Sequence, residues 1–318
     1  MPRTVIETRR LRKRYPAVTA VDDVDLKVEE GEVLGLVGPN GAGKTTLLKM
    51  LSTLLEPTSG SIEIMGMDAR KHPIAARRAL GYLPDFFNLY GDLKLWEMLW
   101  FFADVYEIPE EDIERRVAEA LELVGLTAKR DDFARNLSRG MAQRLGVATL
   151  LVRDSPILLL DEPASGLDPK ARIGLREVLK KLAAEGRTII ISSHILTELE
   201  DFCTHIAVMG RGKLELHDGV ASIQSGLCGK TVVKLGMLEK NAAILTKAVA
   251  KLDYAKIVSG SGTAFKIEID GGADAIAKLN KDLVSAGVGV VMLLEEKSSL
   301  EDIFMDVTAA FDEDGGGA

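Results

Sequence analysis

The residues Gly38-Pro39-Asn40-Gly41-Ala42-Gly43-Lys44-Thr45 satisfy the pattern G-x-x-x-x-G-K-[ST] at every fixed position. A loop of this kind wraps backbone N–H groups around phosphate oxygens, adds the Lys44 ammonium, and offers the Thr45 hydroxyl to a Mg²⁺ ion. Glu32 to Val37, ahead of it, reads as a buried strand, and Thr46-Leu47-Leu48 opens a helix whose N-terminus faces the anion. The expected nucleotide-binding set is therefore Gly38, Pro39, Asn40, Gly41, Ala42, Gly43, Lys44, Thr45 and Thr46, and the expected ligand is a nucleoside triphosphate.

A second group turns binding into hydrolysis. Ile157-Leu158-Leu159-Leu160 has the character of a central parallel strand and ends in Asp161-Glu162-Pro163. Two acids at the carboxyl end of a buried strand sit where an open α/β sheet binds its ligand. Asp161 suits Mg²⁺, together with Thr45, and Glu162 suits a general base toward water.

From Arg3 to His217 the chain resembles the nucleotide-binding subunits of ABC transporters. Besides the phosphate loop and Asp161-Glu162, it has Leu137-Ser138-Arg139-Gly140-Met141 where the family carries Leu-Ser-Gly-Gly-Gln. Ser165-Gly166-Leu167-Asp168 resembles the D-loop, Ser192-Ser193-His194 resembles the switch-histidine segment, and Tyr15 matches the aromatic that stacks on adenine. The resemblance implies ATP and Mg²⁺ as cofactors and a catalytic set of Glu162, His194 and Lys44. It also implies a head-to-tail dimer, homomeric or heteromeric, in which Ser138, Gly140 and Asp168 meet the nucleotide of the partner. Read without it, Ser138 is an ordinary helix cap, His194 a satisfied strand-end histidine and Tyr15 a half-buried core residue.

Three positions depart from the family pattern, Asp85, Arg139 and Met141, the last standing where the family carries glutamine. Asp85 follows the strand-like Leu80-Gly81-Tyr82-Leu83-Pro84 where a glutamine is usual, bringing a charge that favours Mg²⁺ and repels phosphate. Arg139 replaces a glycine, and the sequence leaves open whether it serves the nucleotide of the partner or points to solvent.

The resemblance implies an α/β, P-loop NTPase fold of ABC type, with an antiparallel β layer and a helical subdomain, and the elements that must position these residues are consistent with it. Val5 to Leu11, Val24 to Val28 and Ser61 to Met65 read as antiparallel strands, and helical periodicity runs from Asp92 to Val152. The ATPase domain is expected over 1–219, with the helical subdomain at about 88–153. Trp96, Trp100 and Phe101 widen the apolar stripe there, either to pack against the sheet or to form a groove for a helix of a membrane partner. A linker is expected over 220–229 and an α+β, ferredoxin-like domain over 230–311, reading β-α-β-β-α-β with a hairpin turn at Gly260-Ser261-Gly262. Leu300 to Phe304 reads as helix and resembles an element that closes export-type members. Residues 312–318, acidic and glycine-rich, read as a disordered tail.

Composition bounds the function. The net charge of −8 argues against a nucleic-acid partner. Cys203 and Cys228 are the two cysteines, with spacing unsuited to zinc, and they fit a reducing cytosol. No run reaches the roughly 20 apolar residues of a membrane span. The expectation is a soluble, cytoplasmic ATPase subunit, held on the inner face of the membrane by a separate transmembrane permease and powering export. A soluble ABC ATPase acting on ribosomes or nucleic acid would carry a second cassette or a long coiled coil. A P-loop kinase has no need of Ser138, Asp168 and His194 together.

Overall fold

The structure is a computed structural model and describes residues 3–196, 199, 201–224, 230–238 and 242–296. Two compact units follow one another in the chain, the first running to Asp218 and the second beginning at Gly219.

In chain order the first unit contains β1 (Thr4–Arg14), β2 (Thr19–Glu29), β3 (Val33–Val37), α1 (Lys44–Leu51), β4 (Ser59–Ile64), β5 (Met67–Asp68), α2 (Pro73–Ala79) and β6 (Leu80–Leu83). Then come α3 (Leu95–Val105), α4 (Glu110–Leu123), α5 (Arg139–Leu151), β7 (Ile157–Leu160), α6 (Pro169–Ala184), β8 (Thr188–Ser193), β9 (His205–Gly210) and β10 (Lys213–Gly219). The order β2-β1-β4-β5 makes an antiparallel sheet. The order β10-β9-β3-β8-β7-β6 makes a second sheet, parallel from β9 to β6.

The two sheets share a core in which Leu26, Val28 and Ile64 belong to one cluster with Leu47, Leu48 and Leu51 of α1. Alternation along β2 buries Val24, Leu26 and Val28 on one face, as period 2 requires. The continuous apolar runs of β3 and β7 are buried at every residue, the pattern of strands covered on both faces.

The parallel register decides where chemistry can happen. Val37 pairs with Ser193, Leu160 with Ile191, and Leu83 with Leu160. The chain therefore leaves β3, β6, β7 and β8 at one common edge, carrying the phosphate loop, Asp85, Asp161-Glu162 and His194. Between β6 and β7 stand α3, α4 and α5. In α4 the buried Ile113, Val117, Ala120 and Leu121 recur at helical spacing.

In the second unit α7 (Val220–Gln224) precedes β11 (Lys230–Met237), α8 (Ala242–Val249), β12 (Ala255–Ser261), β13 (Ala264–Asp270), α9 (Ala273–Ser285) and β14 (Val290–Glu296). From β11 onward the elements run β-α-β-β-α-β. The sheet order is β12-β13-β11-β14, with every neighbour antiparallel. Its core is apolar, with Val233, Leu235, Ile267 and Ile269 of the sheet against Leu245, Leu279 and Leu283 of the helices.

Several expectations are corrected. The first helix starts at Lys44 rather than Thr46, because Gly43 at φ 106° ends the loop and turns the chain directly into the helix. Of the 220–229 stretch, Val220–Gln224 form helix α7. The hairpin turn falls at Gly262-Thr263, since Ser261 pairs with Ala264, while Gly260 lies inside β12 after a register shift. Residues 225–229 with Cys228, the Leu300–Phe304 segment and the 312–318 tail lie outside the described residues. Among the described residues no helix is long and apolar enough to cross a membrane.

Candidate active site

Tyr15, residues 40–46, Asp85, Glu162, Ser165 and His194 line one cleft of about 470 Å³. The loop owes its shape to close approach. A Cβ on Gly38 would collide with the Met209 carbonyl at the end of β9, and one on Gly43 with the Ala20 carbonyl of β2. Gly43 also has a left-handed backbone, so glycine is needed there twice over.

Lys44 is 5% exposed and donates to the carbonyls of Gly38 (2.6 Å) and Pro39 (3.3 Å) from Nζ, which lies 3.3 Å from Glu162 Oε1. A buried ammonium needs this many partners, and the group is held at the mouth of the loop as a fixed positive charge. Thr45 follows in the first turn and its Oγ1 donates to Asp161 Oδ1 at 3.0 Å.

Asp161 is 1% exposed and is held by three hydroxyls. Thr45 and Ser192 donate to Oδ1, the latter at 2.9 Å, and the Tyr82 phenol donates to Oδ2 at 3.4 Å. Burial, followed by the charge of Asp161, pushes the Tyr82 phenol well above its ordinary pKa, so it stays a donor. Ser192 does double duty, since its Oγ also accepts from the Glu162 N–H at 2.8 Å. That bond fixes Glu162 in a left-handed conformation, φ 47°, which costs a non-glycine residue about 1–3 kcal/mol. The strain re-aims the side chain: Glu162 Oε2 meets His194 Nδ1 at 2.7 Å while Oε1 faces Lys44. A carboxylate oxygen accepts, so His194 Nδ1 is the donor in this contact.

Asp85 lies two residues beyond β6, on the cleft wall. Burial, then the charges of Asp161 and Glu162, raise its carboxyl pKa, and Arg139 pulls it back. Oxygen donors from Thr45 and Asp161, with Asp85 and Glu162 close enough to repel one another, form the hard, electron-rich set that suits Mg²⁺. Among the described residues no ready-made group of three or more metal ligands occurs. A Mg²⁺ ion here would therefore take protein oxygens together with phosphate and water, as it usually does.

Tyr15 is 39% exposed at the rim of the cleft, under the Lys13 ammonium at 5.5 Å, and is not a core residue. Ser138, Gly140 and Asp168 are not brought to this cleft. Ser138 caps α5 through the Met141 N–H at 3.3 Å, and Asp168 caps α6 through the Ala171 N–H at 2.9 Å. Gly140 is buried where α5 crosses α6, and a Cβ there would strike that of Ala171. Arg139 does not simply point to solvent, because its guanidinium rests on Gly166.

Sequence reasoning missed Ser192 and Tyr82. Their signal is the register, which sets Ser192 beside Asp161 and Tyr82 opposite Leu159 on neighbouring strands. Neither pairing can be read until the strand order is known. His205 and His217 flank the buried Glu32 at the opposite end of β3, at 3.6 and 3.9 Å.

The chain is similar to known proteins over most of its length. Residues 21–165 match the family model for ABC transporters. The chain is similar to a Nod factor export ATP-binding protein of Cupriavidus metallidurans, 33% identical over 306 residues, covering 96% of this chain and 97% of the relative. A solved ATP-binding subunit of an ABC transporter superposes with TM-score 0.62 at 32% identity, over 69% of this chain and 92% of that one. A dimeric ATP-binding cassette in a post-hydrolysis state, bound to ADP and Pi, gives 0.61 at 26% identity, over 68% and 98%. With this relationship spanning nearly the whole length, the chain belongs to the family of ABC transporter ATP-binding proteins and is an ATPase.

Proposed function

We propose that this ATPase couples ATP-driven dimerisation and hydrolysis to export of a substrate through a separate membrane subunit, on whose cytoplasmic side it is held. The observation that carries the reading is the convergence of Lys44, Asp161, Glu162 and His194 at one sheet edge. In this reading Lys44 and the loop N–H groups hold the β- and γ-phosphates. Glu162 accepts a proton from the attacking water, and His194, bonded to it at 2.7 Å, orients both water and γ-phosphate. Tyr15 stacks on the adenine from the rim. Thr45 and Asp161 would hold Mg²⁺, with Asp85 beside them, and the ion supplies charge neutralisation for the phosphates when bound.

Ser138, Gly140 and Asp168 do not line the cleft of their own chain, which supports a role toward the nucleotide of a second copy or a related subunit. The dimeric relative bound to ADP and Pi supports dimerisation. A surface for the permease is supported by exposed aromatics beside α3. Phe86 is 80% exposed, and Tyr90 packs edge-to-face on Phe101 at 5.5 Å with both rings partly in solvent. Export is favoured over other transport by the export protein that matches nearly the full chain.

The test uses Glu162→Gln, which keeps ATP intact. Sedimentation of this variant with Mg²⁺ and ATP is expected to show a dimer that reverts to monomer when the nucleotide is removed. A monomer at saturating ATP would overturn the sandwich. Recovery of the tagged chain from membranes together with an integral membrane protein tests the coupling.

A further inference from the structure

Lys13 is the penultimate residue of β1 and Tyr15 the first beyond it, and the fold sets the charge of one over the ring of the other. The Lys13 ammonium lies 5.5 Å from the Tyr15 ring centroid. It is held there, because Nζ also donates to the Glu56 carbonyl at 2.7 Å, in the segment that joins α1 to β4. The Glu56 carboxylate is taken by Arg70 at 3.0 Å, and among the described residues no carboxylate pairs with Lys13. The backbone beneath the ring is fixed as well. Tyr15 opens the turn between β1 and β2, closed by backbone hydrogen bonds between Tyr15 and Val18 at 2.8 and 3.3 Å. The Arg14 N–H, just before it, donates to Thr58 Oγ1 at 3.0 Å.

Tyr15 lines the cleft of the phosphate loop and Lys13 does not. An aromatic ring exposed at a rim is free to swing, and a ligand that stacks on it must stop that motion at a cost in affinity. A tethered cation on one face removes part of the cost in advance. It also draws the π density of the ring toward itself, so that the far face opposes the face of a stacked purine less.

We propose that Lys13 is a positioning residue for the nucleotide base: seated on the Glu56 carbonyl, it braces one face of Tyr15 so that the other face stacks on adenine. The proposal rests on the reading of Tyr15 as the base-stacking residue. The effect of Lys13 runs through the base alone. It bears on nucleotide affinity and leaves the hydrolytic step to Lys44, Glu162 and His194.

The experiment measures binding of ATP and of inorganic tripolyphosphate, which has no base, each with Mg²⁺, by calorimetry on the full chain. Wild type is compared with Lys13→Met, Lys13→Arg, Tyr15→Ala and the Lys13→Met, Tyr15→Ala double variant, beside steady-state hydrolysis. Lys13→Met keeps a long stem without charge. It is expected to raise the Kd and KM for ATP about threefold, the scale of an exposed cation–π contact, with kcat within about twofold of wild type. Tripolyphosphate affinity should not change. Lys13→Arg should keep the ATP affinity of wild type, and Lys13→Met should add nothing in the Tyr15→Ala background. Equal weakening of ATP and tripolyphosphate, or the same loss of ATP affinity without the Tyr15 ring, would overturn the bracing and make Lys13 a general attractor of anions. A lowered Tm with unchanged ATP affinity would overturn it in favour of a structural tether. Tyr15→Ala with wild-type ATP affinity would instead overturn the stacking reading, and the bracing with it.

Discussion

The two units bury different things. The first encloses Lys44, Asp161, Ser192 and Ser193 at the carboxyl ends of its parallel strands, each less than a tenth exposed. In the second, the buried residues among those described are apolar throughout, Ile267, Ile269, Leu279 and Leu283 among them. Burying polar groups costs free energy unless every one is partnered, and the first unit meets that cost with the Thr45, Tyr82 and Ser192 hydroxyls around a single carboxylate. Nothing about stability alone requires such a network, and the second unit closes its sheet without one. The contrast identifies the polar strand ends as the part of the molecule shaped by chemistry.

The largest effect on stability should come from the second unit and leave the chemistry untouched. Ile267→Ala empties a fully buried position and is expected to destabilise that unit by about 2–5 kcal/mol, read by denaturant unfolding. ATP turnover below the transition should stay within about twofold of wild type. A large loss of turnover in folded protein would break the separation of roles.

Ser192→Ala tests the other side. Removing its hydroxyl leaves the Glu162 N–H unpaired and takes one donor from Asp161, at an expected cost of about 1–3 kcal/mol in stability. Because the same bond holds the left-handed Glu162, kcat should fall about 10-fold or more while ATP affinity changes little. A variant with lowered Tm and unchanged kcat would reduce Ser192 to structural support.

The smallest effect is electrostatic. The Asp85 pKa is raised in the folded chain, so folding favours its protonated form, and its contribution to stability is lost as pH rises through that value. Asp85→Asn, measured with EDTA and without nucleotide, should therefore raise the Tm at pH 8 relative to wild type and lose that advantage by pH 4. A gain that grows toward acid would contradict the sign.

Much of the site was legible because its chemistry is local in sequence. Gly38 to Thr45 carries its own strand and helix, and Ile157 to Leu160 announces a buried strand whose end must bear Asp161 and Glu162. Ser138 was readable as a residue before a helix, and it caps α5. What was hidden depends on distant pairing. Ser192 becomes a ligand of Asp161 only through the register of β7 and β8, and Arg139 reaches Gly166 only through the crossing of α5 over α6. The hairpin turn was misplaced by two residues because Gly260, Gly262 and the intervening Ser261 offer the same local signal at two registers. The backbone strain at Glu162 leaves no trace in residue type, since glutamate there is chosen for its carboxylate.

The most direct test of the account is the hydrolytic step itself. Glu162→Gln keeps the shape of the side chain and removes its basicity. Single-turnover hydrolysis of ATP with Mg²⁺, compared with nucleotide affinity on the same samples, separates chemistry from binding. The account predicts ATP affinity within about threefold of wild type and a hydrolysis rate lower by about 10² or more, the scale of a positioned general base. A variant that hydrolyses ATP at the wild-type rate would contradict it and remove Glu162 from the mechanism.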